Sequence, residues 1–123
     1  MFNKQFFARL ALFIIYGWFG FLKVIDASPA NPLVAGLLEK TLPFISFAHF
    51  IVIFGLFEVL IGLLFLFNRT RKIALTLFAL HMIAVLMPLA LLPAVSWQSF
   101  LIPTLEGQYM IKNIALIALV LFI

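Results

Sequence analysis

The chain has 123 residues, of which 67% are hydrophobic and only 10% are charged. Soluble domains carry about 25% charged residues, so eight Lys and Arg with four Asp and Glu cannot cover the outside of a soluble globular enzyme. The net charge of +4 is scattered along the chain rather than gathered on one face, which argues against nucleic acid as a partner. The lipid bilayer is the solvent that remains, and the first expected partner. Cysteine is absent from the sequence, which excludes disulfide exchange and iron–sulfur ligation.

A helix that crosses a bilayer uses about 20 mostly apolar residues. The length therefore allows four spans with short loops, and the apolar runs place them at about 6–25, 47–67, 73–92 and 106–123. The expected fold is all-α: an integral membrane four-helix bundle forming a single transmembrane domain over 1–123. The first run holds Arg9 near its start and Lys23 near its end. Lys4, Arg9 and the sequence Ala27-Ser28-Pro29-Ala30 loosely resemble a cleaved leader. The run is long, bulky and aromatic, however, and Lys23 precedes any cleavage site, so a retained first helix is expected.

In the link that follows, Asn31-Pro32 reads as an N-cap and a first-turn proline. Leu33, Val34, Leu37 and Leu38 then recur at helical spacing, predicting a short amphipathic helix on the membrane interface between spans 1 and 2. The second run contains Glu58, and the third contains His81 and Pro88. Pro88 leaves the carbonyl of Ala84 without its usual donor, which predicts a kink. Trp97 in the next link and Tyr109 beyond it are natural headgroup-level anchors. From Glu106 to the last residue the fourth run covers about 27 Å, just enough to cross. That length requires Lys112 and Asn113 to enter the outer zone of the membrane. No internal repeat or low-complexity segment is visible.

Loop charge predicts orientation. Lys4, Arg9, Arg69, Arg71 and Lys72 are five of the eight basic residues. They fall at the N-terminal end and in the link between spans 2 and 3. Four spans put these regions on one side, which the positive-inside rule makes cytoplasmic. Both termini are expected inside, in a multi-pass protein.

An ionisable side chain within a bilayer is costly and calls for a partner. Glu58 lies near mid-depth, with Gly55 and Gly62 on the same face to admit a neighbouring helix. His81 lies at nearly the same depth of the next helix, so the two are expected to meet. Tyr16, at mid-membrane in the first helix, is expected to donate to Glu58. This intramembrane polar group can serve proton handling or ligand binding, or be a structural clasp. Lys23, Glu106, Tyr109, Lys112 and Asn113 are expected to meet at an outer-side cavity; anchoring in the headgroups, with Glu106 balancing Lys112, is the plainer alternative. Arg9 and Lys23 at the ends of the first helix are also explained by side chains reaching to the headgroups. His49 and His81 differ in depth by roughly 13 Å, too much for the two axial ligands of one haem. No metal-ligand spacing is present.

The run Tyr16-Gly17-Trp18-Phe19-Gly20-Phe21-Leu22-Lys23, then Gly55-Leu56-Phe57-Glu58, then Arg71-Lys72 resembles the DoxX-like superfamily of small four-helix membrane proteins. Glu106-Gly107-Gln108-Tyr109 with Lys112-Asn113 is similar to its branch around the bacterial reactive-chlorine-resistance membrane protein. The resemblance implies a bacterial inner-membrane (cytoplasmic-membrane) bundle with both ends cytoplasmic. Some relatives are linked to thiosulfate:quinone oxidoreduction and others to oxidative-stress resistance. With no cofactor motif evident, the expected function is a non-enzymatic accessory module of a membrane redox or stress-response system. It would act with a membrane redox partner or as a homo-oligomer. The alternatives are a quinone-linked oxidoreductase subunit, with quinone as the cofactor, and a small-molecule or proton-coupled permease.

Overall fold

A computed structural model describes residues 3–121 and residue 123. In chain order they form α1 (Lys4–Val24), α2 (Asn31–Thr41), α3 (Phe47–Phe65), a 3₁₀ turn (Asn68–Thr70), α4 (Arg71–Leu86) and α5 (Pro88–Leu91). Then come α6 (Pro93–Ser96), a ribbon of β1 (Trp97–Ser99) and β2 (Ile102–Pro103), α7 (Leu105–Ile111) and α8 (Asn113–Val120). Three helical stretches are long and apolar enough to cross a membrane: Lys4–Val24, Phe47–Phe65 and Asn68–Leu91. Large apolar side chains stand exposed along all three, among them Phe21, Ile53 and Ile83. A surface of that kind is suited to lipid.

Asn3 starts α1 by accepting the Phe6 N–H at 2.9 Å. The helix stops where Asp26 turns left-handed, with φ of 58°. Ala27 N–H reaches back to the Leu22 carbonyl at 2.8 Å and closes the end. The short amphipathic helix forms, but Asn31 does not cap it. Ala30 occupies that position, and the Asn31 amide instead donates to Asp26 Oδ1 at 2.6 Å, tying α2 to the end of α1.

α1 and α3 pack antiparallel along glycines. A Cβ built on Gly20 would sit 2.6 Å from the Gly55 carbonyl oxygen, so the two backbones touch there. α3 and α4 pack antiparallel through the turn at 68–70. Leu12, Ile61, Phe65, Ala74 and Phe78 form the core with Val120 and Ile123. The start of α1, the 68–70 turn and the chain end therefore share one end of the molecule. α2 and the ribbon lie at the other.

The kink expected at Pro88 forms as a break between α4 and α5: Pro88 lacks an N–H, Met87 N–H still donates to the Ile83 carbonyl at 3.2 Å, and Asn68–Leu91 stays long and apolar enough to cross. One expectation about the spans changes. The stretch expected as one fourth span, 106–123, is two short helices, α7 and α8. At Lys112 the helix tightens: Ala115 N–H donates to the Lys112 carbonyl at 2.9 Å, a three-residue closure. The two-stranded ribbon departs from an all-α chain. Ser96 Oγ donates to the Pro88 carbonyl at 2.7 Å and Trp97 Nε1 to that of Leu89 at 2.9 Å. These bonds hold the ribbon on α5, and Gly107 packs against the Ser96 carbonyl where a Cβ would not fit.

Candidate functional site

The Gly20–Gly55 contact sets up the site. Lys23 follows Gly20 by three residues, and Glu58 follows Gly55 by three. In antiparallel helices each lies roughly 4.5 Å along the axis from the contact, a gap that a lysine and a glutamate side chain bridge together. Lys23 Nζ meets Glu58 Oε1 at 2.8 Å. The ammonium also lies 5.8 Å from the centre of the Phe54 ring, a cation–π contact.

The other carboxylate oxygen, Glu58 Oε2, lies 2.6 Å from His81 Nε2. His81 Nδ1 lies 3.0 Å from the Tyr16 hydroxyl. Lys23, Glu58, His81 and Tyr16 are 6%, 5%, 5% and 2% exposed, so the chain of contacts is withdrawn from the surface. Its protons can be assigned from the network. Among the described residues the Tyr16 hydroxyl has His81 Nδ1 as its sole acceptor, so Tyr16 donates to Nδ1. The imidazole proton is then on Nε2 and is donated to Glu58 Oε2, which leaves Glu58 a carboxylate paired with the Lys23 ammonium. The group of four is neutral as a whole, the arrangement in which burial costs least.

Three expectations are corrected. Tyr16 bonds His81 rather than Glu58, because its ring leans on Phe65 and Phe78 and points its hydroxyl at the imidazole. Lys23 does not reach to the headgroups; the close glycine contact turns it inward to Glu58. Arg9 does not reach outward either. It is 9% exposed, and its guanidinium donates to Asn68 Oδ1, clamping α1 to the α3–α4 turn. The signal for the Lys23–Glu58 pair is present in the sequence as matching spacings, Gly-x-x-Lys in one helix and Gly-x-x-Glu in another.

A cavity of about 670 Å³ lies beside Lys23 and Glu58. Its walls are mostly apolar: Phe19 and Leu22 of α1, Leu33, Val34 and Leu37 of α2, Phe50 and Phe54 of α3, and Ala84 and Pro88 of the third stretch. Glu106, Tyr109 and Asn113 complete the wall, so they share one cavity with Lys23 as the sequence predicts. Lys112 stands apart from this lining; its ammonium lies 5.4 Å from the centre of the Tyr109 ring. Among the described residues no ion pair joins it to Glu106. His81 and Tyr16 lie behind Glu58, outside the lining. His49 is exposed, away from the polar chain.

No family model, curated protein or solved structure matches this chain. Fold and site alone define its class: a helical protein with three helices able to cross a membrane, and a buried ion-paired chain bordering an apolar cavity.

Proposed function

We propose that this protein binds a lipophilic small molecule of the quinone class in the cavity, within a membrane redox or stress-response system. The single observation that carries the reading is the contrast inside the cavity, apolar walls with the Lys23–Glu58 pair at one side. Binding sites of this size combine an apolar lining with a few placed polar groups. A quinone presents the matching chemistry, an apolar ring and tail with oxygens that hydrogen-bond. Lys23 would donate to a quinone oxygen, and Glu58 would accept from the hydroxyl of the reduced form.

This reading favours the quinone-linked role over a purely accessory one. A permease needs a polar path past Tyr16, and Tyr16 is backed by the rings of Phe65 and Phe78. The proposal also includes the finer fold: α7 and α8 together act as a fourth crossing, giving a four-helix bundle. The motif residues around Tyr16–Lys23, Glu58 and Glu106–Asn113 support a DoxX-like membership. A bacterial inner-membrane location with both termini cytoplasmic follows from that membership and from the basic residues at one end.

Solvent extraction of gently purified protein, followed by mass spectrometry and absorbance, tests the binding. The expected result is a co-purifying quinone at near one per chain, sharply reduced in an Ala84→Phe variant that fills the cavity. Bulk lipid alone, unchanged by that variant, would return the protein to the accessory role.

A further inference from the structure

The ribbon between α6 and α7 has an unusual tip. A two-residue turn, Phe100-Leu101, joins Ser99 to its partner Ile102. Turns of this length favour Asn, Asp and Gly, because they need backbone angles with φ above zero. Here a φ of 60° falls on Leu101, in the left-handed region that a bulky side chain avoids. Phe100 and Leu101 are 89% and 73% exposed, so packing within the chain does not account for an apolar pair at a strained turn.

The base of the ribbon is fixed at a definite depth. Ser96 Oγ donates to the Pro88 carbonyl, Trp97 Nε1 to that of Leu89, and Thr104 N–H to that of Ser96 at 2.9 Å. After α5 the chain has therefore folded back to the level of Pro88 and Leu89. At 1.5 Å per residue Pro88 lies about 26 Å along the helical stretch from Arg71. Arg71 and Lys72 belong at the headgroups of one membrane surface, which puts the base of the ribbon near the opposite edge of a hydrocarbon core of about 30 Å. From Ile73 to Leu105 the sequence has no Asp, Glu, Lys or Arg. The tip thus combines exposed apolar side chains, an uncharged setting and the depth of a membrane boundary, which suits lipid better than a soluble partner.

We propose that the ribbon is a shallow membrane anchor, with the Phe100 and Leu101 side chains seated among the upper acyl chains of the leaflet at that end. The backbone limits the depth. A two-stranded ribbon has open edges, whose N–H and C=O groups need water or headgroup partners and so do not enter the hydrocarbon. Gln98 and Ser99 remain at headgroup level, and the tip side chains alone go deeper. The anchor bears on the cavity. Ser96 holds Pro88 through its hydroxyl, and its carbonyl packs against Gly107. Pro88, and Leu105 and Glu106 beside Gly107, line the cavity. Lipid that holds the tip therefore steadies two walls of the cavity, whatever ligand the cavity takes.

The absence of native cysteine makes the depth measurable. Phe100→Cys and, as a water-side reference, Glu39→Cys are each labelled with an environment-sensitive fluorophore, and the full chain is reconstituted in phosphatidylcholine vesicles. The lipid is spin-labelled either near the headgroup or near the methyl end of its acyl chain. The headgroup-proximal spin label should quench the fluorophore at position 100 about twofold or more over the deep one, because the backbone cannot follow into the hydrocarbon. Aqueous iodide should quench the fluorophore at position 39 and leave that at position 100 nearly unchanged. Leu101→Cys repeats the reading, and both tip side chains are exposed, so neither substitution opens the core. A fluorophore at position 100 that iodide reaches and neither spin label does lies in water, which overturns the anchor. Stronger quenching by the deep spin label overturns the shallow placement. Protection from every quencher, with energy transfer between labelled copies, would mean that a second copy of the chain covers the tip instead of lipid.

Discussion

Glu58 touches partners on both sides, Lys23 through Oε1 and His81 through Oε2, and is only 5% exposed. Removing one member of such a buried pair strands the others. Glu58→Leu should destabilise the folded protein by about 3–5 kcal/mol, because it leaves the Lys23 ammonium without its counter-charge. The double variant Lys23→Met/Glu58→Leu removes both charges together. It should be more stable than Glu58→Leu alone by roughly 2 kcal/mol, a coupling that marks the two residues as one unit. Denaturant titration in mixed micelles measures both, and a double variant as weak as the sum of the singles would show that the pair is not coupled. At this scale the Glu58–His81 meeting is legible in the sequence, because helical rise converts residue counts into depth. The direction of Lys23 is not. A lysine near a helix end can turn outward to the headgroups or inward to an acid, and only the neighbouring helix decides which.

Contact between elements depends on particular glycines. Gly20 faces the Gly55 carbonyl, whereas a Cβ on Gly17 would meet only Phe13, at 3.9 Å. Gly20→Ala must push α1 and α3 apart, with an expected cost of about 1–3 kcal/mol from overpacking. The same shift would pull Lys23 away from Glu58. Gly17→Ala should be tolerated, with a stability change of less than about 0.5 kcal/mol. Thermal unfolding of the two variants in the same detergent compares them directly; equal losses would mean that the glycine contact does not set the helix spacing. The sequence shows small residues on one face of each helix, but not which glycine lies against which. That depends on the register of two antiparallel helices separated by a long link. The ribbon at 97–103 is hidden for a related reason. Its placement rests on bonds from Ser96 and Trp97 to the carbonyls of Pro88 and Leu89, and the break at Pro88 leaves that short stretch beside the ribbon.

For the whole molecule, the start of α1, the 68–70 turn and the chain end share one end, held by Leu12, Phe78, Val120 and Ile123 in a common core. The five basic residues gathered there predict that this end is cytoplasmic. The native chain has no cysteine, so single-cysteine labelling reads the orientation without background. Arg69→Cys should resist an impermeant maleimide in intact cells and react after permeabilisation, while Ser99→Cys in the ribbon should react in both. The reverse pattern would invert the topology.

Composition alone points this chain to a bilayer, since 10% charged residues cannot cover a soluble surface. The lengths of its apolar runs predict the three helices able to cross, because a helix rises by a constant amount per residue, and also a fourth span that the structure divides into α7 and α8. The depth of Glu58, His81 and Tyr16 follows from the same constant. The tertiary structure alone decides that Lys23 joins them, that Tyr16 serves His81 rather than Glu58, and that Glu58 borders the cavity that Lys23, Glu106, Tyr109 and Asn113 share. Those outcomes depend on the rotation and register of one helix against another. Both are set by close contacts between residues far apart in the chain, as where Gly20 meets Gly55.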